Sequence, residues 1–405
     1  MANCIIAQSG GPTSVINSSV VGLLKANKDL GAFDKVYAGL NGIEGILNGN
    51  IIELSSFSDE EINTFRYTPS SGLGSCRYKM KNLEDSSEEY DKLLDILNIN
   101  NIKAFFYVGG NDSMDTIAKL GKYAKSSGID IKFIGIPKTI DNDLMYTDHT
   151  PGFGSAAKFI ATTALETYLD SSVYINNGIF ILETMGRDTG WLAASSCTAR
   201  INGKPVADFI YLPEVAFNIE QFLLDVRKKF QEKNKVFIVV SEGLKNSEGQ
   251  FITEVTRQAH DNFGHAQLGG VGNYLKNLII SSGITNRVKS LELGVLQRCS
   301  IHCASDIDLE EAFDAGYSAL RFALDGNSGY MVGIKRDSNL PYTTSHFLVE
   351  ADKIANNVKY FPTDLINEEG NNIREEALDY FLPLISGTPS LVIDNHLPKF
   401  KTISK

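Results

Sequence analysis

Short apolar runs alternate along the chain with longer stretches in which apolar residues recur every three or four positions. The short runs are rich in β-branched and aromatic residues, which predicts strands at Cys4–Ala7, Lys103–Val108, Ile131–Ile136, Ile179–Glu183, Phe209–Leu212, Lys235–Val240 and Tyr330–Ile334. The longer stretches predict helices at Ser14–Asn27, Ser113–Ser127, Ser155–Leu169, Asp188–Ala199, Ile219–Glu232 and Ser305–Leu324. This alternation is typical of βαβ units, so the chain is predicted to be α/β with mostly parallel sheets.

The strands and helices fall into two sets, and the chain passes from one set to the other near residues 145–155. The C-terminal remainder is more polar, which predicts loops at 338–344 and 367–372 and a short helix at 375–381. The pattern therefore predicts two α/β domains, each with a parallel sheet, followed by a C-terminal extension at 337–405.

The chain has 405 residues, of which 43% are apolar and 21% charged, and this length fits two or three cores at about 150 residues each. The formal net charge of −11 argues against nucleic acid and anionic membranes as partners. No apolar run approaches the roughly 20 residues that span a bilayer, and the five scattered cysteines favour reduced thiols. We therefore expect a cytoplasmic protein whose phosphate chemistry, if any, depends on a few well-placed cations.

Two predicted strands end in glycine-rich loops that lead into helices. Gly10 and Gly11 follow the first strand, and Gly109 and Gly110 stand close before Asp112 at the end of another. Glycine lets the backbone approach a ligand, and a helix N-terminus offers unpaired N–H groups to an anion. Each loop alone is also compatible with an ordinary capped turn. Together they favour a phosphate site, because parallel strand ends meet at one sheet edge.

A third strand end carries a concentration of polar groups. Lys138, Thr139, Asp141 and Asp143 follow within seven residues of Ile136. The Asp-Asn-Asp sequence is also an ordinary turn. Beside two anion-binding loops, however, it is a candidate for phosphoryl transfer, with a lysine to offset charge and an aspartate to accept a hydroxyl proton.

These motifs, in this order, resemble the phosphofructokinase family over the chain from Ser9 to about Arg336. The resemblance rests on seven segments: Gly10–Gly11, Leu73–Arg77, Gly109–Ser113, Pro137–Asp143, Met185–Arg187, Ser241–Gly243 and Leu293–Arg298. It implies the two-domain phosphofructokinase fold, and it implies phosphoryl transfer to the 1-hydroxyl of fructose 6-phosphate.

The resemblance also implies roles for residues near the phosphoryl donor. Gly10 and Gly11 are expected to contact the donor, and Arg77 to bridge the donor and the phosphoryl group in transfer. Thr139 and Asp141 are expected to meet the sugar hydroxyl, with Asp141 as general base.

A second group of residues is implied to hold fructose 6-phosphate: Met185, Gly186, Arg187, Glu242 and Arg298. The two arginines suit its phosphate because a planar guanidinium forms paired hydrogen bonds with phosphate oxygens.

Two positions bear on the identity of the donor. Nucleotide-using members of the family have glycine where this chain has Asp112 and Lys138, whereas pyrophosphate-using members are similar to this chain. A carboxylate about 4 Å from the α-phosphate of a nucleotide would repel it by roughly 4 kcal/mol at an effective dielectric near 20. Pyrophosphate is therefore the expected donor. The alternatives are an ATP-dependent 6-phosphofructokinase and a non-catalytic subunit that binds sugar phosphate.

The chain departs from the family pattern at three positions. Asn111 stands where many members have an aspartate linked to Mg²⁺, so that cofactor is expected to be held by the amide oxygen of Asn111, by water and by the donor's own oxygens. Gly178 and Lys289 replace arginines that reach the sugar phosphate of a neighbouring subunit, and Lys289 or Arg287 could serve instead. The resemblance thus implies a homodimer or homotetramer.

The resemblance also implies which substrate each predicted domain binds. Residues 1–150, completed by about 299–336, are expected to bind the phosphoryl donor, and residues 151–298 the sugar phosphate. We expect reversible transfer from pyrophosphate, giving fructose 1,6-bisphosphate and phosphate.

Overall fold

A computed structural model describes residues 2–84, 86–175, 178–253 and 270–403. These residues form two units. The first unit comprises Met1–Ser155, Arg298–Val358 and Ser386–Lys405, and the second comprises Ala156–Gln297 and Lys359–Ile385.

The strands in chain order are β1 (Asn3–Gln8), β2 (Val36–Gly39), β3 (Ile51–Glu53), β4 (Ile102–Gly109), β5 (Lys132–Pro137), β6 (Ile179–Thr184), β7 (Arg200–Ile201), β8 (Lys204–Pro205), β9 (Phe209–Tyr211), β10 (Val236–Ser241), β11 (Val288–Glu292), β12 (Tyr330–Asn339), β13 (Tyr342–Glu350), β14 (Ile393–Asp394) and β15 (Leu397–Pro398). The helices are α1 (Ile16–Leu30), α2 (Gly42–Leu47), α3 (Asp59–Arg66), α4 (Glu88–Ile99), α5 (Asn111–Ser126), α6 (Phe153–Ser171), α7 (Trp191–Ser195), α8 (Ile219–Lys233), α9 (Val271–Ser281), α10 (Leu296–Cys299), α11 (Asp306–Leu324), α12 (Ala351–Ile354) and α13 (Leu378–Leu384).

In the first unit, seven of the described strands form a sheet in the order β13-β12-β5-β4-β1-β2-β3. The inner neighbours pair in parallel, while β3 and β13 lie antiparallel at the two edges. The predicted α/β architecture with a mostly parallel sheet is thus confirmed for this unit.

Two apolar cores cover the faces of this sheet. Ile5, Phe105 and Tyr107 lie in one core with side chains of α4, α5 and α12, and Ile6 and Phe106 lie in the other with side chains of α1 and α11. Side chains alternate between faces along a strand, so a continuous apolar run serves two cores at once.

Glycines allow α1 and α11 to pack closely. A β-carbon at Gly22 would lie 1.9 Å from the carbonyl oxygen of Phe313, and one at Gly316 would lie 1.9 Å from that of Ser19. Both distances are far below van der Waals contact, so these positions require glycine. The contact fixes α11, which carries side chains that support the candidate site.

The second unit contains a four-stranded parallel sheet among its described residues, in the order β11-β6-β10-β9. Its α8 begins where the Asn218 side chain accepts a hydrogen bond from the Gln221 N–H. It ends at Asn234, which adopts a left-handed conformation with φ of 54°. Capping of this kind explains why the apolar periodicity predicted this helix closely.

Two local predictions were wrong. Residues 338–344, predicted as a loop, belong to the hairpin of β12 and β13, which pair antiparallel from Tyr330 with Glu350 to Asn339 with Tyr342. The polar composition misled the prediction because β13 is an edge strand in which half-buried and exposed residues alternate. The helix predicted from Asp188 begins only at Trp191.

The predicted extension, residues 337–405, is not a separate part of the structure. Its residues are divided between the two units, because β13 joins the sheet of the first unit and residues 359–385 belong to the second. No helix of the described residues combines the length and apolar character needed to cross a membrane.

Candidate active site

The carboxyl ends of β1, β4 and β5 carry the predicted donor-binding loops. These strands are neighbours in the sheet and run in parallel, with Gln8 beside Val108 and Gly109 beside Pro137. The loop at Gly10 and the start of α5 therefore lie at one edge of the sheet, together with Lys138, which directly follows β5. The structure brings together residues that are about 100 positions apart in sequence.

Lys138 is buried at the centre of this edge. Its side chain is 3% exposed, and Nζ donates a hydrogen bond of 2.7 Å to the carbonyl oxygen of Gly11. Burial lowers the pKa of Lys138 to about 8, against the opposing charges of Asp141 and Asp143. A buried ammonium group with a low pKa at a sheet edge is typical of a site for an anion.

The two glycines after β1 leave space for cations. A β-carbon at Gly10, which has φ of 75°, would lie 3.3 Å from Lys138 Nζ. One at Gly11 would lie 3.2 Å from Arg298 Nη1. Larger residues would occupy the space between the loop and these two positive charges.

A second loop holds Gly10 in place. The Gly10 N–H donates to the carbonyl oxygen of Cys76 at 3.1 Å, and Ser75 Oγ donates to that of Gly10 at 2.7 Å. Arg77, the next residue, is thereby carried to the same edge, where its charge helps to lower the pKa of Lys138.

Arg298 completes a group of three cations. Burial, followed by the charge of Arg77, lowers the pKa of Arg298, while Asp141 opposes the shift. Arg298 is the first residue of the second segment of the first unit. The structure therefore groups Arg298 with the donor loops, whereas the sequence placed it at the end of the sugar-phosphate domain.

Asp141 lies in a tight turn after β5. Its N–H donates to Thr139 Oγ1 at 3.1 Å, and Thr139 Oγ1 approaches Asp141 Oδ2 at 3.4 Å. The next residue, Asn142, has a left-handed φ of 55°. This turn places the Thr139 hydroxyl beside the Asp141 carboxylate.

Thr150 stabilises that turn through two hydrogen bonds. Its Oγ1 donates to the Thr139 carbonyl oxygen at 2.8 Å, and its N–H donates to Asn142 Oδ1 at 3.1 Å.

The residue before Thr150 is a buried histidine. His149 lies between Asp148, at 2.8 Å from Nδ1, and Glu311 of α11, at 2.5 Å from Nε2. Burial alone would lower the pKa of His149, but the carboxylates of Glu311 and Asp148 outweigh it and raise the pKa to about 9. This network was not predicted, since nothing in the sequence spacing relates residues 149 and 311.

Asp112 and Asn111 lie in the first turn of α5, whose N-cap is Gly110. Asp112 is exposed, and Gly110 rather than Asp112 occupies the capping position. The Asn111 carboxamide is engaged elsewhere: Nδ2 donates to the carbonyl oxygens of Asn357 and Ile354, and Oδ1 accepts from the Asn356 N–H.

The donor set does not fit a protein-made metal cage. Across residues 2–84, 86–175, 178–253 and 270–403, no group of three or more His, Cys, Asp or Glu side chains is arranged to hold a metal ion. Asn111 Oδ1, the predicted ligand, already accepts a hydrogen bond of 2.6 Å.

The second unit presents the predicted sugar-phosphate residues at the carboxyl ends of β6 and β10, which are paired at Thr184 and Ser241. The Gly186 N–H donates to Glu242 Oε1 at 3.3 Å, and the Met185 N–H donates to Gln297 Oε1 at 3.2 Å. The structure thus brings Met185, Gly186 and Glu242 together.

Arg187 completes this group. Its Nε atom is buried and has no hydrogen-bond partner among the described residues. A β-carbon at Gly243 would lie 1.9 Å from the Arg187 carbonyl oxygen, so the close approach of the two loops requires glycine there. A buried donor without a partner is costly unless a ligand supplies an acceptor.

Lys289 is not brought to these residues within the chain. It lies on β11 opposite Phe180, near the start of β6, whereas Met185 follows the end of that strand. Its Nζ lies 3.8 Å from Asp170 Oδ2, and both side chains are mostly exposed.

Comparison with known proteins identifies relatives of this chain. A family model described as phosphofructokinase matches residues 3–322. The pyrophosphate–fructose 6-phosphate 1-phosphotransferase of Halomonas elongata is 38% identical and spans 100% of this chain and 96% of its own. A sulfofructose kinase of Alkalicoccus urumqiensis is 35% identical over 83% of this chain and 84% of its own.

A solved structure shares the whole fold. The pyrophosphate-dependent phosphofructokinase of Marinobacter aquaeolei superposes with a TM-score of 0.87 at 36% identity, covering 100% of this chain and 98% of that one. The resemblance found in the sequence motifs is therefore confirmed, and the chain belongs to the phosphofructokinase family.

Proposed function

We propose that this chain transfers a phosphoryl group from pyrophosphate to the 1-hydroxyl of fructose 6-phosphate, reversibly, as a diphosphate–fructose-6-phosphate 1-phosphotransferase. The observation that carries the proposal is the buried Lys138 ammonium, bonded to the Gly11 carbonyl at the edge that also holds Asp141. The relatives named for the same reaction support it.

The donor would bind against the three cations of the first unit. Pyrophosphate carries its charge in a small volume, so Lys138, Arg77 and Arg298 could contact it without any adenosine pocket. The N-terminus of α5 and the backbone of Gly11 would add N–H donors. Lys138 lies innermost, and we assign it to the phosphoryl group in transfer, where its charge counts most in the transition state.

The chemical step needs one proton acceptor. The 1-hydroxyl oxygen of the sugar attacks a phosphorus of pyrophosphate while Asp141 accepts the hydroxyl proton. The new O–P bond forms as the bridging P–O bond breaks, and orthophosphate leaves with that electron pair. Thr139 would orient the hydroxyl, because its Oγ1 lies 3.4 Å from Asp141 Oδ2. In reverse, the protonated Asp141 returns the proton.

Asp112 is proposed to exclude ATP. It is exposed in the first turn of α5, one residue from the Asn111 that anchors the helix start. A carboxylate there would repel the α-phosphate of a nucleotide, whereas the shorter pyrophosphate would end before it. An ATP-dependent kinase is therefore the weaker alternative.

The acceptor is assigned to the second unit. Glu242 would accept hydrogen bonds from sugar hydroxyls, and the buried Nε of Arg187 would find its missing acceptor in the 6-phosphate. Met185 and Gly186 would line the sugar. Arg298 remains a proposed ligand of the 6-phosphate of the sugar. Because Arg298 belongs to the first unit, we also propose that it contacts pyrophosphate.

A homodimer or homotetramer is proposed from a further surface of the second unit. Exposed apolar residues lie at the end of α6 and just after it, at Leu169, Val173, Tyr174 and Ile175, and Leu291 is exposed on the edge strand β11. The Arg287 guanidinium lies 5.8 Å from the centre of the Tyr174 ring, and Lys289 approaches Asp170. A partner covering this patch would bring its sugar phosphate towards Lys289. If analytical ultracentrifugation at assay concentration shows an active monomer, the proposed homodimer or homotetramer is wrong.

Mg²⁺ is proposed as the counter-ion of pyrophosphate, and it would neutralise part of the charge of the donor when bound. Cytoplasmic location remains a prediction.

The decisive experiment compares initial rates of the purified chain with pyrophosphate and with ATP at equal Mg²⁺, using fructose 6-phosphate as acceptor. We expect turnover with pyrophosphate and little with ATP, and formation of pyrophosphate from fructose 1,6-bisphosphate and phosphate. Preference for ATP would refute the donor assignment, and no turnover with either would favour a non-catalytic subunit. Parallel rates with 6-deoxy-6-sulfofructose test whether the acceptor resembles that named for the Alkalicoccus relative.

A further inference from the structure

We propose that Asn111 is not a metal ligand in this chain: its carboxamide fastens residues 354–357 to the start of α5, and magnesium is held by pyrophosphate oxygens and water. The identity of the donor in this statement rests on the proposed function. The role of Asn111 rests on the geometry alone.

All the polar atoms of this side chain are engaged by one short backbone segment. Nδ2 donates to the carbonyl oxygen of Asn357 at 2.6 Å and to that of Ile354 at 3.2 Å. Oδ1 accepts from the N–H of Asn356 at 2.6 Å. These contacts join positions more than 240 residues apart in sequence.

The segment selects an amide over a carboxylate. It presents two acceptors and one donor, which a carboxamide complements with two N–H groups and one oxygen. An aspartate at position 111 would place one carboxylate oxygen against two carbonyl oxygens, with no proton between them. The family's usual aspartate and this backbone turn are therefore incompatible, and the turn explains why the chain carries asparagine.

The turn itself is specified by the sequence. Asn356 adopts a left-handed conformation with φ of 61°, which asparagine tolerates better than most residues. The Asn357 N–H also donates to the Ile354 carbonyl oxygen at 3.0 Å. The segment thus has its own bonded geometry and does not depend on a metal.

With residue 111 engaged, a metal ion has no carboxylate cage in the described residues. Mg²⁺ commonly keeps several waters and binds through substrate phosphates. We infer that the ion enters as the magnesium chelate of pyrophosphate and that the protein without pyrophosphate has little affinity for Mg²⁺.

The two roles make opposite predictions for Asn111→Asp. If position 111 binds metal, a carboxylate should bind Mg²⁺ more tightly, and MgCl₂ should raise the melting temperature of the variant more than that of the wild type. If Asn111 fastens the segment, Asn111→Asp should melt about 2–4 °C below the wild type. MgCl₂ should then shift both proteins equally. A new acidic residue in a first helical turn is ordinarily stabilising, so a fall in melting temperature cannot come from the helix dipole.

The thermal measurement uses MgCl₂ alone and needs no turnover, so it stands even if the proposed donor is wrong. The proposal is overturned if Asn111→Asp melts at or above the wild-type temperature, or if MgCl₂ stabilises it more than the wild type. Asp352→Asn is the matched control, because it removes the exposed ion pair of Lys122 and Asp352 between the same two helices. We expect it to melt within about 1 °C of the wild type.

A second variant covers the case in which Asn111→Asp does not accumulate as folded protein. Asn111→Ala removes the hydrogen bonds without adding charge. We expect a lower melting temperature and a Mg²⁺ concentration for half-maximal pyrophosphate turnover within twofold of the wild type. A tenfold rise in that concentration would overturn the proposal. If the wild type shows no pyrophosphate turnover, the proposed function fails, and the melting temperature of Asn111→Ala still tests the fastening role.

Discussion

Replacing Lys138 with methionine is expected to stabilise the folded protein while removing its activity. The Lys138 side chain is 3% exposed, and burial lowers its pKa from 10.5 to about 8. The folded protein therefore carries a charge that would be better solvated in the unfolded chain. Methionine keeps most of the side-chain volume and removes that charge.

The magnitude follows from the pKa difference. A difference of about 2.5 pH units corresponds to about 3 kcal/mol at 1.36 kcal/mol per unit. The variant also loses the hydrogen bond from Lys138 Nζ to the Gly11 carbonyl oxygen, which contributes about 1 kcal/mol. We expect the free energy of unfolding to rise by about 2 kcal/mol at pH 7.

The pH dependence gives a sharper test. The unfolded chain holds the Lys138 proton up to about pH 10.5, whereas the folded protein releases it near pH 8. Because the unfolded state binds more protons between these values, the wild type gains stability as the pH rises through them. The amount by which the free energy of unfolding of Lys138→Met exceeds that of the wild type should therefore decrease by about 2 kcal/mol between pH 7 and pH 9.5.

Urea unfolding of the wild type and of Lys138→Met at pH 7 and pH 9.5 measures the difference in their free energies of unfolding. The contributions of other titrating groups cancel in this comparison. Lys103→Met is the control, since Lys103 is exposed on the neighbouring strand, and should change stability by less than about 0.5 kcal/mol at either pH. Pyrophosphate turnover should fall by about 10²- to 10³-fold in the Lys138 variant alone. A Lys138→Met protein that is less stable than the wild type at pH 7, or whose advantage does not change with pH, would refute the reasoning.

Three further predictions concern catalysis. Asp141→Ser should lower kcat by roughly 10²- to 10⁴-fold and leave the Kd for fructose 6-phosphate nearly unchanged, because only the proton acceptor is lost; a normal kcat with a raised KM would be inconsistent with this role. Asp112→Gly should permit weak use of ATP and reduce pyrophosphate turnover, and continued exclusion of millimolar ATP with unchanged pyrophosphate kinetics would show that another group sets donor choice. In the wild type, kcat/KM for pyrophosphate should fall as the pH rises above about 8, since Lys138 then loses its charge, and a flat profile to pH 9.5 would argue against contact with the donor.

The features that depend on neighbouring residues could be predicted from the amino-acid sequence. Buried parallel strands are mostly apolar, so the runs Cys4–Ala7, Lys103–Val108 and Ile179–Glu183 were predictable as strands, and they lie within β1, β4 and β6. The glycine loops and the segment from Lys138 to Asp143 follow those strands directly, and parallel strand ends share one edge. The grouping of these residues at one edge of the sheet therefore followed from the order of residues along the chain.

The features that depend on contacts between distant residues came only from the folded chain. Asn111 was expected to be a metal ligand because members of the resembling family have a metal-linked aspartate at that position, but the carbonyl oxygens that engage it come from residues 354 and 357. His149 lies against Glu311, which is 162 positions away in the sequence. A hydrogen bond depends on which groups the folded chain brings within about 3 Å, and local sequence does not encode that proximity.

The hairpin of β12 and β13 shows the same limit for secondary structure. The polar residues 338–344 favour a loop locally, yet Ser338 pairs with Thr343 and Asn339 with Tyr342 across the hairpin. Backbone hydrogen bonds to a neighbouring strand outweigh weak local preferences, because strand propensity depends on what lies alongside. The order of residues sets which chemical groups stand at the strand ends, whereas long-range packing sets which of those groups are available to a ligand.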